Sequence, residues 1–367
     1  MSKTWAEKTK SQNVQNYKDK EETFASRNVN GTGSYLIKGW EPDKRVVFAA
    51  NPAWWDKRDG NVTEVTYTPI KSDSTRVSAL LAGDVDIVTD LPTQDVARLR
   101  SDTRLKVLEG HEVRTIFIGM DQHNNELQYA NVKGRNPFKD VRVRRALNMA
   151  VDREAIKRVT MRGLSIPAAL MVAPGVHGHS NDIDKVMPLD VEGARKLLAE
   201  AGVPNLEFTL DCPNNRYVND EEICQALVGM WARAGIKVKL NAMPFAGFIP
   251  KLLKMDTSAY MLGWGVATFD SLFMLQSLVR TKTTGADGNF NQGRISDPKL
   301  DAVIDAMKTE MDPKKRDALI REALVTVRDQ HYYVPLHYQL RPWAMKKNVS
   351  TLHRANDFPE SRFARAD

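Results

Sequence analysis

The second half of the chain alternates between two hydrophobic periods. Apolar residues recur at every second position in LEFTLDC, residues 206–212, and again in IKVKLNAMP, residues 236–244, as expected for strands. NDEEICQALVGMWARAG, which lies between them, has apolar residues at helical spacing, a start signal near Asn219 and a stop at Gly235. This order of strand, helix and strand predicts a βαβ unit with a parallel strand pair and a right-handed crossover.

The run YMLGWGVATFDSLF, residues 260–273, predicts a third strand of that sheet, YMLGWG. Gly263 and Gly265 flank Trp264, although glycine weakens the interior of a strand. In an open parallel sheet, ligands bind at the carboxyl ends of the strands, where the two glycines would let another group approach the indole. A core tryptophan whose glycine neighbours allow close packing is the alternative.

Asp270 also has two interpretations. The segment that follows it, SLFMLQSLVR, is helical in pattern, so the Asp270 carboxylate is favoured as a helix N-cap. Replacement of such a cap by alanine costs about 1 kcal/mol. A direct contact between the carboxylate and a ligand is the alternative.

The rest of the chain predicts mainly strands before residue 136 and mainly helices after it. Alternating apolar residues predict strands at 35–50 (a pair joined by a turn at Glu41–Pro42–Asp43), 62–70, 114–121 and 332–338. A helix that ends at Gly83 and a buried strand are predicted within residues 74–88, and a helix within 136–151. Capping aspartates predict four further helix starts, at Asp152, Asp190, Asp297 and Asp312.

Length and composition favour a soluble protein of two domains. The chain has 367 residues, of which 42% are apolar and 27% charged. Because it contains no run of about 18 apolar residues, it predicts no membrane span. The amino-terminal stretch MSKTWAEKTKSQNVQNYKDKEE is polar throughout, so no signal peptide is predicted in the sequence as given.

Net charge is +7, and the densest basic stretch lies between Lys133 and Arg162, with ten Lys or Arg and three acidic residues. A basic nucleic-acid-binding protein would place such a cluster on one face. A solvated helix pair is favoured, because basic and apolar positions interleave at helical spacing.

The search for chemistry finds no enzyme motif, so no catalytic residue and no cofactor are predicted. GTGSY at Gly31 runs into a strand and lacks the helix that a phosphate-binding loop needs. His177 and His179, with Asp182 and Asp184 nearby, are favoured as part of a surface loop and not as a metal site, because no second set of ligands is evident.

The two cysteines, Cys212 and Cys224, are too few for a disulfide scaffold or a four-thiolate zinc site. A loop that turns back could bring the two sulfurs within bonding range. Two buried reduced thiols remain the equal alternative.

Several segments together resemble the extracytoplasmic solute-binding proteins of peptide-type ABC importers, solute-binding family 5, which includes dipeptide, oligopeptide, glutathione and nickel receptors. They occur in the family's order and cover nearly all of the chain. The segments are NGTGSYLIKGWEPDKRVVFAANPAWW, NPFKDVRVRRALNMAVDREAI, ARKLLAEAG, NNRYVNDEEICQALVGMWARAGIKVKL, YMLGWG and YYVPLHYQLRPWAMKKNV.

The resemblance implies an α/β, two-lobed periplasmic-binding-protein-like fold (type II, cluster C-like) that closes over its ligand by a hinge. Residues 1–115 plus 341–367 would form a partial first lobe, and residues 116–340 the second lobe with the βαβ sheet. The chain crosses between lobes near Arg114 and near Gln339–Trp343. The protein would be a periplasmic monomer that binds no nucleic acid and delivers a small-molecule or peptide ligand to the permease subunits of an ABC transporter.

The resemblance also assigns candidate ligand-binding residues. The strand with the Gly-Trp pair and the loop NNRY would face the cleft between lobes. The candidates are Trp264, Gly265, Ala267, Asp270, Asn214, Arg216 and Tyr217.

The chain departs from the family pattern at two places. Peptide receptors of the family often have an aspartate three residues after this tryptophan, which clamps the α-amino group of the peptide, whereas this chain has Ala267. A buried amine without a counter-charge is costly, so plain peptides are disfavoured as ligands unless Asp270 takes the place of the missing aspartate. Modified peptides, opine-like compounds and other small solutes remain possible ligands. The chain also begins within the first-lobe pattern, which predicts exposed apolar sheet edges and weak or absent ligand affinity.

An α/β enzyme with an unrecognised site is the alternative function.

Overall fold

The computed structural model describes residues 2–16 and 21–367, so Met1 and residues 17–20 of the polar amino-terminal stretch lie outside the described residues. The chain divides into two compact units. The first unit contains Met1–Glu109, Pro342–Arg354 and Phe358–Asp367, and the second contains Gly110–Arg341 and Ala355–Asp357.

The elements are numbered in chain order. The helices are α1 (Lys3–Lys8), α2 (Phe24–Arg27), α3 (Asp73–Ala82), α4 (Val96–Ser101), α5 (Val141–Met149), α6 (Arg153–Ala155), α7 (Val191–Glu200), α8 (Asp220–Arg233), α9 (Phe245–Leu253), α10 (Ser271–Met274), α11 (Pro298–Met307) and α12 (Pro313–Asp329). The strands are β1 (Tyr35–Glu41), β2 (Arg45–Ala50), β3 (Glu64–Tyr67), β4 (Ile87–Val88), β5 (Leu105–Leu108), β6 (His111–Met120), β7 (Ser165–Pro167), β8 (Glu207–Pro213), β9 (Lys237–Met243), β10 (Ala259–Gly265), β11 (Val334–Leu340), β12 (Trp343–Lys346), β13 (Val349–Ser350) and β14 (Arg365–Ala366). Two segments, Ile156–Thr160 and Leu275–Val279, continue α6 and α10 as π-helical turns.

The first unit is built from small antiparallel sheets. The predicted strand pair is confirmed as β1 and β2, and β3 adds to β2, so that the order is β1-β2-β3. A second sheet has the order β4-β12-β5, and β13 pairs with β14. The first sheet exposes four large apolar side chains, which lie on β1 and β3: Leu36, Ile37, Trp40 and Tyr67.

A six-stranded sheet of order β7-β11-β6-β10-β8-β9 organises the second unit. The βαβ prediction is confirmed, because β8 and β9 are parallel neighbours joined through α8. β10 is parallel to β8, as expected for the third strand. The whole sheet is mixed, since β6 runs antiparallel to both β10 and β11. Hydrophobic alternation specifies which faces a strand buries, and it carries no information about strand direction.

Alternate residues of β6 serve two separate hydrophobic cores, one on each face of the sheet. Ile116 and Ile118 pack in a core that includes Leu227 and Trp231 of α8. Phe117 faces the opposite core, with residues of β10, α11 and α12. Trp231 is fully buried and satisfies its indole N–H by donating to the carbonyl of Leu147 at 3.0 Å. The second unit therefore has helices on both faces of its sheet, which makes the strand ends the natural place for a site.

The predicted acidic helix caps are confirmed. The side chains of Asp152, Asp190, Asp297 and Asp312 each accept a hydrogen bond from a backbone N–H of the first turn that follows. Asn219 stands at the N-cap position of α8 as predicted, but its side chain makes no capping hydrogen bond and donates to the carbonyl of Thr160 instead.

Eight of the ten basic residues between Lys133 and Arg162 are exposed or partly exposed, as predicted for solvated helices, and two are buried. Arg144 and Arg153 are each only 4% exposed. Arg144 donates to the backbone carbonyls of Phe138, Lys139 and Gln330, so it ties loops together inside the unit. No helix within the described residues combines the length and the apolar character needed to cross a bilayer.

Candidate functional site

The carboxyl end of β10 places Trp264 and Gly265 at an edge of the second unit. Trp264 stands opposite Thr115 of β6 and Gly265 stands opposite Arg114. On its other side β10 pairs with β8 only through Ala259 and Tyr260. Since the two parallel strands separate after Tyr260, the loop that follows β8 can fold back beside the end of β10.

The two glycines of β10 are explained by side chains that lie directly against the strand. A Cβ at Gly263 would lie 2.7 Å from the Tyr217 ring and 2.7 Å from Cδ1 of Ile116. A Cβ at Gly265 would lie 3.3 Å from Nη2 of Arg114. Gly263 is therefore required by close packing, whereas the contact at Gly265 is with the mobile end of a long side chain.

Trp264 is partly buried, and its ring packs against two phenylalanines. The ring centroids lie 5.3 Å from Phe273 and 4.9 Å from Phe290. Its Nε1 is buried and has no hydrogen-bond partner among the described residues, and the same is true of Oγ1 of Thr115, its cross-strand neighbour. A buried indole N–H usually finds an acceptor. Trp264 is an exception among the described residues, and its N–H remains an unused donor.

In the loop after β8, the guanidinium of Arg216 packs against two aromatic rings. The Asp220 carboxylate accepts from the backbone N–H groups of Arg216 (2.8 Å) and Tyr217 (3.0 Å), which fixes the loop. Tyr217 is buried and its hydroxyl donates to the carbonyl of Gly263 at 3.3 Å, so the loop is joined to β10. The exposed Arg216 guanidinium lies over the rings of Tyr217 (5.1 Å) and Phe245 (5.4 Å), and no carboxylate of the described residues pairs with it.

Asn214 takes a peripheral place in this loop. Its backbone N–H donates to the carbonyl of Met243 at the end of β9, and its side chain is exposed. The structure therefore brings Tyr217, Arg216 and Trp264 to one strand end, and places Asn214 at the outer margin.

A buried polar network beside this strand end was not anticipated from the sequence. The Glu112 carboxylate, 3% exposed, accepts from Nε of Arg114 at 2.7 Å and from Nε2 of Gln339 at 2.5 Å. The Arg114 guanidinium also lies 5.9 Å from the Tyr217 ring. One signal was present in the sequence: Glu112 and Arg114 are two residues apart, so they share a face of a strand whose later residues are apolar.

The family model of the bacterial extracellular solute-binding proteins, family 5 Middle, matches residues 2–286 of this chain. The chain belongs to solute-binding family 5. Residues of the β10 strand end and of the loop after β8 both lie within the matched segment.

Curated relatives agree with this membership at low sequence identity. Heme-binding protein A of Haemophilus influenzae is 25% identical over 88% of this chain and 56% of its own length. The probable deoxycholate-binding periplasmic protein YgiS of Escherichia coli is 28% identical over 91% of this chain and 61% of its own length. This family 5 chain thus spans less than two thirds of the curated relatives it matches.

Solved structures show the fold. The periplasmic binding protein DppA of Helicobacter pylori, in complex with the peptide STSA, superposes with a TM-score of 0.80 at 21% identity, over 99% of this chain and 66% of the neighbour. The binding protein AgaA of A. tumefacien R10, in complex with agropinic acid, gives a TM-score of 0.71 at 23% identity, over 89% of this chain and 65% of the neighbour. The fold is the α/β fold of the two-lobed periplasmic binding proteins.

Asp270 is engaged by other residues of this family 5 chain. As favoured from the sequence, it caps α10, accepting from the N–H of Leu272 at 2.9 Å. The Arg316 guanidinium donates to both of its oxygens, and His177 Nδ1 lies 3.3 Å from Oδ2. Burial acts to raise the pKa of Asp270, but the hydrogen bonds from Arg316 and Leu272 outweigh it and the pKa is lowered. Ala267, at the position of the family's aspartate, is exposed.

The two cysteines lie inside the core beneath the strand end. Cys212 of β8 and Cys224 of α8 are both fully buried, and their sulfurs are bonded to each other. The bond links the strand to the helix that follows the Arg216 loop. Sδ of Met261 in β10 lies 3.9 Å from Cys212 Sγ and 3.8 Å from Cys224 Sγ, so the pair is packed against the candidate strand itself.

The His177 and His179 segment forms hydrogen bonds with carboxylates. His177 is exposed and contacts Asp270 and Asp317, the latter at 2.7 Å. His179 departs from the predicted surface loop, because its side chain is only 8% exposed and lies 2.9 Å from Oδ2 of Asp184. Within residues 2–16 and 21–367, no group of His, Cys, Asp or Glu has the arrangement of a metal site.

Proposed function

We propose that this family 5 protein binds a small solute, a peptide or peptide-like compound, at the carboxyl end of β10 and delivers it to the permease of an ABC importer. In this proposal residues 1–115 with 341–367 contribute to the first lobe and residues 116–340 form the second. The hinge lies near Arg114 and Gln339. The protein works in the periplasm as a monomer, and no residue is assigned a catalytic role.

One observation carries the proposal: donors at the end of β10 lack acceptors. Trp264 Nε1 has no hydrogen-bond partner, and the exposed Arg216 guanidinium pairs with no carboxylate among the described residues. Tyr217 connects the two through its contact with Gly263. A solute that carries acceptor oxygens, such as the carbonyl and carboxylate groups of a peptide, would satisfy both donors.

Relatives and neighbours support the class of solute. Among them are a heme-binding protein, a probable deoxycholate-binding protein and binding proteins in complex with the peptide STSA or with agropinic acid. These ligands all carry carboxyl groups beside carbon frameworks, which suits a site that combines Arg216 with aromatic rings.

The proposed solute lacks a free amine near Trp264. Ala267 offers no charge, and Asp270 already accepts two hydrogen bonds from Arg316. A buried ammonium group would then have no counter-ion. Modified peptides and opine-like compounds fit this requirement better than plain dipeptides.

Two observations weigh against the alternative functions. The titratable groups nearest the strand end are occupied, because Glu112 is bonded to Arg114 and Gln339 and Asp270 is bonded to Arg316. An enzyme site would bring unengaged acids or bases together. Arg144 and Arg153, within the densest basic stretch, are buried, which removes two of its ten basic side chains from any nucleic-acid surface.

Native mass spectrometry of the protein purified without denaturation tests the proposal. We expect a mass excess of one small solute that disappears after unfolding and refolding. Trp264→Ala should lose this excess, whereas the matched control Trp55→Ala, at a 77% exposed tryptophan of the first unit, should retain it. Absence of any excess, together with no rise in melting temperature with free or N-acetylated peptides, would contradict the proposal.

A further inference from the structure

A cavity lies in the second unit, and its lining includes none of the residues of the β10 strand end. It has a volume of about 350 Å³, within the range typical of small-molecule sites. Its walls come from α5, α12, the segment after β7 and the loop before α7. The apolar part of the lining is buried and includes Leu170, Met171, Leu324 and Tyr333.

The polar part of the lining is strongly cationic. Arg145, Arg153, Lys185 and Arg328 line the cavity, and Asp329 is its single carboxylate. Asp329 is engaged by Arg328, whose Nε lies 2.7 Å from its Oδ1. The lining therefore carries a formal excess of three positive charges.

Arg153 is a buried cation without a counter-ion among the described residues. It is 4% exposed, and its guanidinium donates only to the carbonyls of Pro335 and Asn148 and to Oδ1 of Asn148. Burial lowers its pKa to about 10, so it remains charged at neutral pH. A buried charge that meets only neutral acceptors is costly, and an anion in the adjoining cavity would lower that cost.

Arg145 and Lys185 stand exposed on the lining, and neither has a carboxylate partner among the described residues. The positive field is felt by His331, which also lines the cavity. Its pKa is lowered to about 4 by burial and by the charges of Arg145 and Arg144, with Arg153 contributing and Asp329 opposing. His331 is therefore neutral at pH 7 and leaves the arginines and Lys185 as the charged groups.

We propose that this cavity binds an organic carboxylate with a short hydrocarbon tail, the tail against Leu324 and Tyr333 and the carboxylate toward Arg145, Lys185 and Arg153. Its volume corresponds to on the order of ten water molecules, which suits a ligand with a similar number of non-hydrogen atoms. The hydrocarbon tail of such a ligand would contact the apolar part of the lining, and its carboxylate would contact the cationic side chains. The site is separate from the proposed solute site in its residues, although both sites would take an anionic group.

Calorimetric titration of the whole chain with sodium octanoate tests this site, with octylammonium chloride and 1-octanol as probes of the same tail length. We expect saturable binding of octanoate, binding at least about tenfold weaker for octanol, and none for octylammonium. Equal affinity for octanol, or no saturation by octanoate at millimolar concentration, would overturn the assignment of an anion site.

Charge reversal locates the binding. Arg145→Glu and Lys185→Glu should each weaken octanoate binding by at least about tenfold. Lys254→Glu, at an exposed lysine of the same unit that does not line the cavity, should leave it unchanged. An equal loss in Lys254→Glu, or no loss in Lys185→Glu, would refute the site. Circular dichroism and melting curves of each variant identify any loss that comes from unfolding.

Discussion

The Arg316 guanidinium donates two hydrogen bonds to the Asp270 carboxylate, from Nη1 to Oδ2 at 2.8 Å and from Nη2 to Oδ1 at 2.9 Å. The same carboxylate caps α10 through the N–H of Leu272. The carboxylate that the sequence analysis considered as a partner for an amine beside Trp264 is therefore neutralised within the second unit.

Asp270→Asn keeps a capping oxygen and removes the charge. We expect a loss of about 0.5–1 kcal/mol in the free energy of unfolding at neutral pH, because the pair with Arg316 is partly exposed. The lowered pKa of Asp270 means that this contribution is present above the unfolded pKa and is lost as the pH falls through the folded pKa. Urea unfolding of both proteins should show stabilities that converge only below about pH 4.

Solute affinity distinguishes the two roles of Asp270 in the same pair of proteins. If the residue serves only as cap and ion-pair partner, the Kd of Asp270→Asn should stay within about twofold of the parent value. A collapse of affinity restricted to cationic solutes would instead identify Asp270 as the clamp for an amine.

Trp264→Phe tests the unused indole donor. The phenyl ring can still pack against Phe273 and Phe290, but the buried N–H, which has no partner among the described residues, is removed. We expect solute affinity to fall about fivefold, the effect of one hydrogen bond, and the free energy of unfolding to change by less than about 1 kcal/mol. Isothermal titration measures the affinity and urea unfolding the stability. Unchanged affinity with reduced stability would show that Trp264 serves in packing and not in solute binding.

Ala267→Asp should change the preference for the solute's charge. The exposed position accepts a carboxylate without burying it, and it is the position at which the resemblance to peptide receptors implies an aspartate. Affinity for peptides with a free amino group should rise by about tenfold relative to their N-acetylated forms, as expected for a charged hydrogen bond. Competition binding with each matched pair of peptides provides the measurement, and an unaltered ratio would place the amine elsewhere.

Gly263→Ala and Gly265→Ala form a matched pair that tests packing at the strand. The new methyl group at Gly263 would press against the Tyr217 ring and Ile116, whereas at Gly265 it would meet the flexible end of Arg114. We expect about 1–3 kcal/mol of destabilisation for Gly263→Ala and less than about 1 kcal/mol for Gly265→Ala, measured by urea unfolding. Equal losses would show that backbone conformation, not the Tyr217 contact, demands glycine.

The location of several site residues could be predicted from the sequence, but their partners could not. Trp264 and its glycines were found because they interrupt a strong strand pattern, and Asp270 because it precedes a helical period. Arg316 lies 46 residues from Asp270, and Gln339 lies 227 residues from Glu112. The local sequence pattern does not predict such pairs. An arginine occupies the same position in an amphipathic pattern whether its side chain is solvated or bonded to a carboxylate.

The amino-acid sequence by itself determined the βαβ order, the acidic helix caps and the membership of family 5. Each of these depends on interactions among residues a few positions apart, or on a pattern of segments along the chain. The tertiary structure alone decided that β6 runs antiparallel inside the sheet, that Tyr217 packs on Gly263, and that Arg153 is buried beside a cationic cavity. These outcomes depend on which distant surfaces pack together, because burial and long-range contacts, and not local periodicity, set the surroundings of a side chain.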